Sequence, residues 1–138
     1  MRMGSDTRCL KHGCKNGNLM NASTALKERL THTWPVFFAH HGNFTAIQRR
    51  AIPAILDGNN ALLIAATAAG KTEAAIAPLL ERHILRADPA TRAQSGLRIL
   101  YICPTRALTR DLYERLRLPL EALTVSLAMK SGDTAAVS

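Results

Sequence analysis

The stretch Leu62-Leu63-Ile64-Ala65-Ala66-Thr67-Ala68-Ala69-Gly70-Lys71-Thr72 decides how the whole chain is read. Its first part, 62–66, is a short continuous apolar run preceded by Asn59-Asn60, the pattern of a strand buried on both faces. Its last part ends in Gly-Lys-Thr, the close of a phosphate-binding loop. In such a loop successive backbone N–H groups and a helix N-terminus face the phosphates, the lysine ammonium reaches the outer two, and the threonine hydroxyl binds Mg²⁺. The wording departs from the usual one at Ala65, where glycine is the rule, and Ala68 also lacks glycine's conformational freedom. Three letters occur by chance in any protein. A strand before them and a helix after them assign this loop to nucleotide binding, against the plainer reading of a small-residue turn with one solvated lysine.

Working outward, 71–85 has helical character interrupted by Pro78, and 97–103 is a second apolar run of strand type. A helix over 107–118 and a third strand over 124–129 follow. Strand, helix, strand, helix, strand predicts an α/β fold, a parallel sheet flanked by helices with right-handed crossovers. Upstream, Thr45 stands three residues before Gln48, the spacing of a capping box. Ile47, Ala51, Ile52, Ile55 and Leu56 then form a helical stripe ended by Asp57-Gly58, with Pro53 inside it as an expected kink. Ser23 or Thr24 can cap a short helix running to Leu30. Trp34, Phe37 and Phe38, half of the six aromatic residues, read as core packing, and His40-His41-Gly42-Asn43 as a turn.

The chain of 138 residues has the size of one domain, and 18 basic against 10 acidic residues leave a net charge of +8. That balance makes a polyanion such as nucleic acid the partner to test. No apolar run is long enough for a membrane span or a signal peptide. Three cysteines are an odd number and too few for a disulfide framework, which fits a reducing, cytoplasmic setting. Residues 1–20 carry Arg2, Arg8, Lys11 and Lys15 without apolar periodicity and read as a mobile basic leader ahead of a domain over 21–138. Cys9, His12 and Cys14 lie in that leader. Structural zinc needs four ligands, and no later cysteine pair completes the set.

Four segments in order carry a family resemblance. Phe44-Thr45-Ala46-Ile47-Gln48-Arg49-Arg50-Ala51-Ile52-Pro53 resembles the Q motif of superfamily 2 DEAD/DEAH-box helicases, and 65–72 resembles their motif I. Tyr101-Ile102-Cys103-Pro104-Thr105-Arg106-Ala107-Leu108 resembles motif Ia, and Ser131-Gly132-Asp133-Thr134 the short glycine motif beyond it. The wording Gly70-Lys71-Thr72-Glu73-Ala74-Ala75 is most similar to the Lhr-like, or large helicase-related, branch, in which alanine in motif I is a familiar variant.

The resemblance implies the N-terminal part of a RecA-like P-loop domain that binds ATP and Mg²⁺ and contacts single-stranded or duplex nucleic acid. It implies that Lys71 stabilises the transferring phosphoryl group, that Thr72 holds Mg²⁺, and that Thr67, Ala68, Ala69 and Gly70 line the phosphates. Gln48 would meet the adenine edge, although its amide is also the partner that a capping box with Thr45 requires. Thr105, Arg106 and Gly132 would contact a strand's phosphate backbone, while Arg110 and Arg117 read as a solvated helix face with Glu114 and Asp111 as partners for Arg110 and Arg115.

Hydrolysis in this family requires an acidic motif II, an Asp-Glu pair that holds Mg²⁺ and orients the attacking water. None of the ten acidic residues stands beside another, and a second RecA-like domain to complete the cleft is not expected within these residues. The expectation is therefore an ATP- and nucleic-acid-binding part of an ATP-dependent helicase, inactive alone and completed by the remainder of a helicase core. The alternatives are a binding module without catalysis and a different small P-loop phosphotransferase.

Overall fold

The computed structural model describes residues 16–88, 90–91 and 96–132. Cys9, His12 and Cys14, most of the expected leader, and Asp133 and Thr134 lie outside the described residues.

Helix α1 spans Asn16–Arg29, so it begins well upstream of the expected cap at Ser23 or Thr24. Helix α2, Thr33–Phe37, follows at once and passes into a 3-10 turn, Ala39–His41, closed by Gly42 at φ 72°. Helix α3, Ala46–Leu56, starts at the expected Thr45 and makes both bonds of the capping box. It runs through Pro53 and ends at Asp57. Helix α4, Lys71–Leu80, opens directly behind the 65–70 loop, contains Pro78, and widens into a π turn over Glu81–Leu85. Helix α5, Arg106–Ala122, is longer than expected at its C-terminal end.

The core is formed by helices. Leu26 and Leu30 of α1, Phe37, Phe38 and Phe44, Ile52 of α3, Ile76, Ala77 and Leu80 of α4, and Leu116 and Leu120 of α5 form one buried cluster. The aromatic residues serve as packing, with Phe44 edge-on to both Trp34 (centroids 4.7 Å apart) and Phe38 (5.1 Å). Helix α3 packs chiefly on α4. In α5 the buried stripe lies toward the C-terminus: Leu116 and Leu120 are inside, whereas Leu108 is half exposed.

The expected parallel sheet is overturned. Among the described residues there is no strand, and no backbone hydrogen bond joins 61–66, 97–103 and 124–129 to one another. All three segments lack helical structure, yet none is buried on both faces. Leu63, Ile99, Val125 and Leu127 rest against the helices, while Leu62, Ile64, Leu97, Leu100 and Ile102 point away and are 68–85% exposed. The reason is physical. An apolar run supplies side chains for a sheet, but a strand exists only when a neighbour accepts and donates its backbone hydrogen bonds. Here the described helices cover one side of these segments and nothing described covers the other.

Candidate nucleotide and nucleic-acid site

The loop over 65–70 turns into α4 through Gly70, whose φ of 84° lies in the left-handed region. The backbone angle disfavours a side chain there, and a Cβ would stand 2.4 Å from the Gln48 amide nitrogen, so that amide would have to shift. Ala68 adopts φ 60°, so the chain accepts at alanine the conformation for which glycine is the usual residue. Thr67 is exposed at the outside of the turn, and the Ala69 N–H donates to the Ala66 carbonyl at 3.3 Å.

Lys71 folds back over this loop. Its ammonium donates to the carbonyls of Ala65 (2.8 Å) and Ala66 (2.6 Å). Thr72, half-buried, lines a cleft of about 150 Å³ between α4, α2 with its 3-10 turn, and α5. Glu73, His40, His41 and Arg115 share that cleft. The Arg115 guanidinium donates to Glu73 at 2.8 Å and ties α5 to the first turn of α4.

The N-terminus of α3 is bound to the same loop. The Thr45 N–H donates to Gln48 Oε1 (2.9 Å), and the Gln48 N–H to Thr45 Oγ1 (3.4 Å). The Thr45 hydroxyl donates to the Ala69 carbonyl (3.0 Å), and Gln48 Nε2 to the Gly70 carbonyl (3.4 Å). Of the two roles left open for Gln48, the cap is therefore formed, and the buried amide also holds the loop.

The residues fit a magnesium nucleotide on chemical grounds. The head of α4 presents the N–H groups that a helix leaves without internal partners, and a glycine leaves the approach open. An ammonium lies at the loop, and Thr72 supplies the hard oxygen donor suited to Mg²⁺. Elsewhere among the described residues, no group of three His, Cys, Asp or Glu side chains is arranged to hold a metal.

The expected strand-contacting residues also meet. Thr105 caps α5 by accepting the Leu108 N–H at 3.3 Å, which commits its hydroxyl to the helix. Arg106 is exposed at the first helical position, and its guanidinium reaches within 3.7 Å of where a Cβ on Gly132 would sit. Further along α5, Asp111 approaches Arg115 at 3.7 Å as expected, but Glu114 approaches Arg117 at 3.8 Å instead of Arg110. The sequence reading missed the Glu73 link and the buried Glu81. Glu81 had a signal: with Ala74, Ala77 and Leu85 it falls on the buried helical stripe, where a carboxylate needs a reason to be.

Comparison with known proteins adds the family. The DEAD/DEAH box helicase signature matches residues 45–137. The chain is 37% identical over 102 residues to the Lhr helicase/probable uracil glycosylase of Mycolicibacterium smegmatis, a match covering 65% of this chain and 7% of that protein. It is 35% identical over 85 residues to the pre-mRNA-processing ATP-dependent RNA helicase PRP5 of Saccharomyces cerevisiae, covering 62% and 10%. With DEAD-box ATP-dependent RNA helicase 36 of Oryza sativa subsp. japonica it shares 44% identity over 73 residues, covering 53% and 13%. The chain thus matches only a small part of the length of these relatives. No solved structure matches it. Among the described residues no helix is long and apolar enough to cross a membrane.

Proposed function

The chain belongs to the DEAD/DEAH box helicase family, and from that premise we propose that it holds ATP with Mg²⁺ on 65–72 and a nucleic-acid strand on Thr105, Arg106 and Gly132. It is the ATP- and nucleic-acid-binding part of an ATP-dependent helicase. The observation that carries this reading is the loop itself: a left-handed Gly70 at the head of α4, with the Lys71 ammonium drawn onto the carbonyls of Ala65 and Ala66.

On binding, Lys71 exchanges those neutral carbonyls for phosphate oxygens, a charge-assisted and stronger contact. Thr72 would hold Mg²⁺, which would supply neutralisation of charge on the phosphates. Gln48 meets the adenine edge by giving up its 3.4 Å bond to the Gly70 carbonyl. Arg106 contributes a phosphate contact that carries no sequence information, which suits an enzyme that moves along a strand.

Turnover requires an acidic pair, and none of the ten acidic residues has an acidic neighbour in sequence. That observation favours a second reading, binding without hydrolysis by these 138 residues alone. ATP titration of the chain in Mg²⁺ tests the first part: Lys71→Ala is expected to weaken binding at least about tenfold, the scale of one lost charge-assisted contact. Equal binding by the variant removes the loop from the proposal. Single-strand binding is expected to fall steeply with salt, with Arg106→Ala reducing the slope by about 1. Affinity indifferent to salt contradicts the phosphate contact. Nucleic-acid-stimulated ATPase of the chain, with and without the remainder of a helicase core, separates the two readings.

A further inference from the structure

Among the described residues Glu81 is the only charged side chain that is buried, with 0% of its surface exposed. It stands where α4 passes into the π turn. Two elements supply donors to its carboxylate. From the α1–α2 junction, Oε2 accepts the Thr33 N–H (2.9 Å) and the Thr33 hydroxyl (3.0 Å), and the His32 N–H lies 3.2 and 3.3 Å from the two oxygens. His32 Nδ1 is 2.8 Å from Oε1, within hydrogen-bond distance of the carboxylate. From the end of the π turn, Arg86 Nε donates to Oε1 at 3.3 Å, and the Arg86 N–H donates to the Glu81 carbonyl five residues back at 2.9 Å. A π turn is an uncommon, locally strained way to continue a helix and is frequent at functional sites.

Stability alone does not ask for a charge here. Apolar residues of similar volume often replace buried ionic networks without loss, whereas a carboxylate surrounded by directional donors permits one arrangement of the elements it joins. The elements joined are two of the three walls of the cleft at Thr72, the third being α5. One wall is the first turn of α4, with Thr72 and Glu73. The other is α2 and its 3-10 turn, with Val36, Phe37, His40 and His41. Glu81 directly follows α4, ten residues from Lys71 and about 15 Å away at the rise of a helix, so α4 is the one element that links the two ends.

We infer that Glu81 is a positioning residue for the phosphate loop: its carboxylate locks the end of α4 to the α1–α2 junction and thereby sets Thr72, the neighbour of Lys71, against the facing wall of the cleft. The inference rests on the nucleotide reading of the loop. Coupling between the two ends is reciprocal, so a nucleotide held at Lys71 and Thr72 must in turn steady the Glu81 contacts.

Hydrogen exchange of the full chain, with and without ATP and Mg²⁺, reads that reciprocity directly. The His32 and Thr33 amides are expected to exchange about fivefold or more slowly with nucleotide present, at the low end of ordinary allosteric coupling. Glu81→Gln is expected to weaken nucleotide binding by a similar factor and to abolish the slowing, while Glu81→Asp restores part of both. Strand binding through Arg106 should be unchanged, which separates positioning from general unfolding. If the wild type binds ATP and Lys71→Ala does not, yet neither exchange at 32 and 33 nor Glu81→Gln affinity changes, the positioning role is overturned and the loop reading stands. Absence of ATP binding by the wild type overturns both. The exchange measurement on the wild type decides the matter even if Glu81→Gln fails to fold.

Discussion

Two regions of this protein are equally apolar in sequence and opposite in fate. Around Phe38, Leu30, Ile52 and Leu80 the side chains are buried to within a few per cent. Along 62–66 and 97–102, Leu62, Ile64, Leu97, Leu100 and Ile102 stand mostly in solvent. The difference lies in the backbone. A helix satisfies its own hydrogen bonds and needs only one apolar stripe against a neighbour. An extended segment depends on another chain segment for its hydrogen bonds, so its burial is a property of the assembly and not of the run.

The largest test of this contrast is a pair of substitutions. Phe38→Ala is expected to cost about 3–5 kcal/mol in urea or guanidinium unfolding, the range for an aromatic core truncation. Ile64→Ser, at 81% exposure, is expected to change stability by no more than about 0.5 kcal/mol. Comparable losses at the two positions would erase the contrast and place 62–66 inside a second packed layer.

Acid sharpens it next, because Glu81 belongs to the buried side. Burial pushes its carboxyl upward, but hydrogen bonds from the His32 ring, the Thr33 N–H and hydroxyl, and the His32 N–H outweigh that and hold it below the ordinary 4.5. A carboxyl lowered in the folded state contributes stability above its unfolded value, and loses it as pH falls through the folded one. The helical core should therefore weaken as pH drops from about 4.5, seen in the fluorescence of Trp34, the single tryptophan, beside the Thr33 contacts. The same titration in Glu81→Gln should show a smaller change. An identical acid transition in that variant would assign the loss to other carboxylates.

A loss smaller than that of the core truncation is expected at the joint between the regions. Thr45→Ala removes the α3 cap and the bond to the Ala69 carbonyl, at a cost of about 1 kcal/mol by thermal or denaturant unfolding. A change near zero would mean that the loop is held by Gln48 alone.

Much of the candidate site was legible because its geometry is local. Thr45 and Gln48 form a cap at a fixed spacing of three, Gly70 precedes a helix that starts at Lys71, and Thr105 caps the helix that carries Arg106. The joining of Arg106 with Gly132 was implied by motif order and not by any local rule. The links from Glu81 to His32 and Thr33 and from Arg115 to Glu73 were not legible, since they span 42 to 49 residues and no short-range pattern encodes such a pairing.

The sequence by itself determined the helices α3, α4 and α5, the glycine turn between an apolar run and a helix, and membership of the helicase family, all of which depend on residues near one another along the chain. Tertiary structure alone decided three things: which apolar segments are covered, that the Gln48 amide and the Lys71 ammonium turn onto the loop, and that one carboxylate binds α2 to α4. Helix formation closes its hydrogen bonds within four residues, whereas covering an extended segment or pairing a buried charge requires groups that only the folded chain brings together.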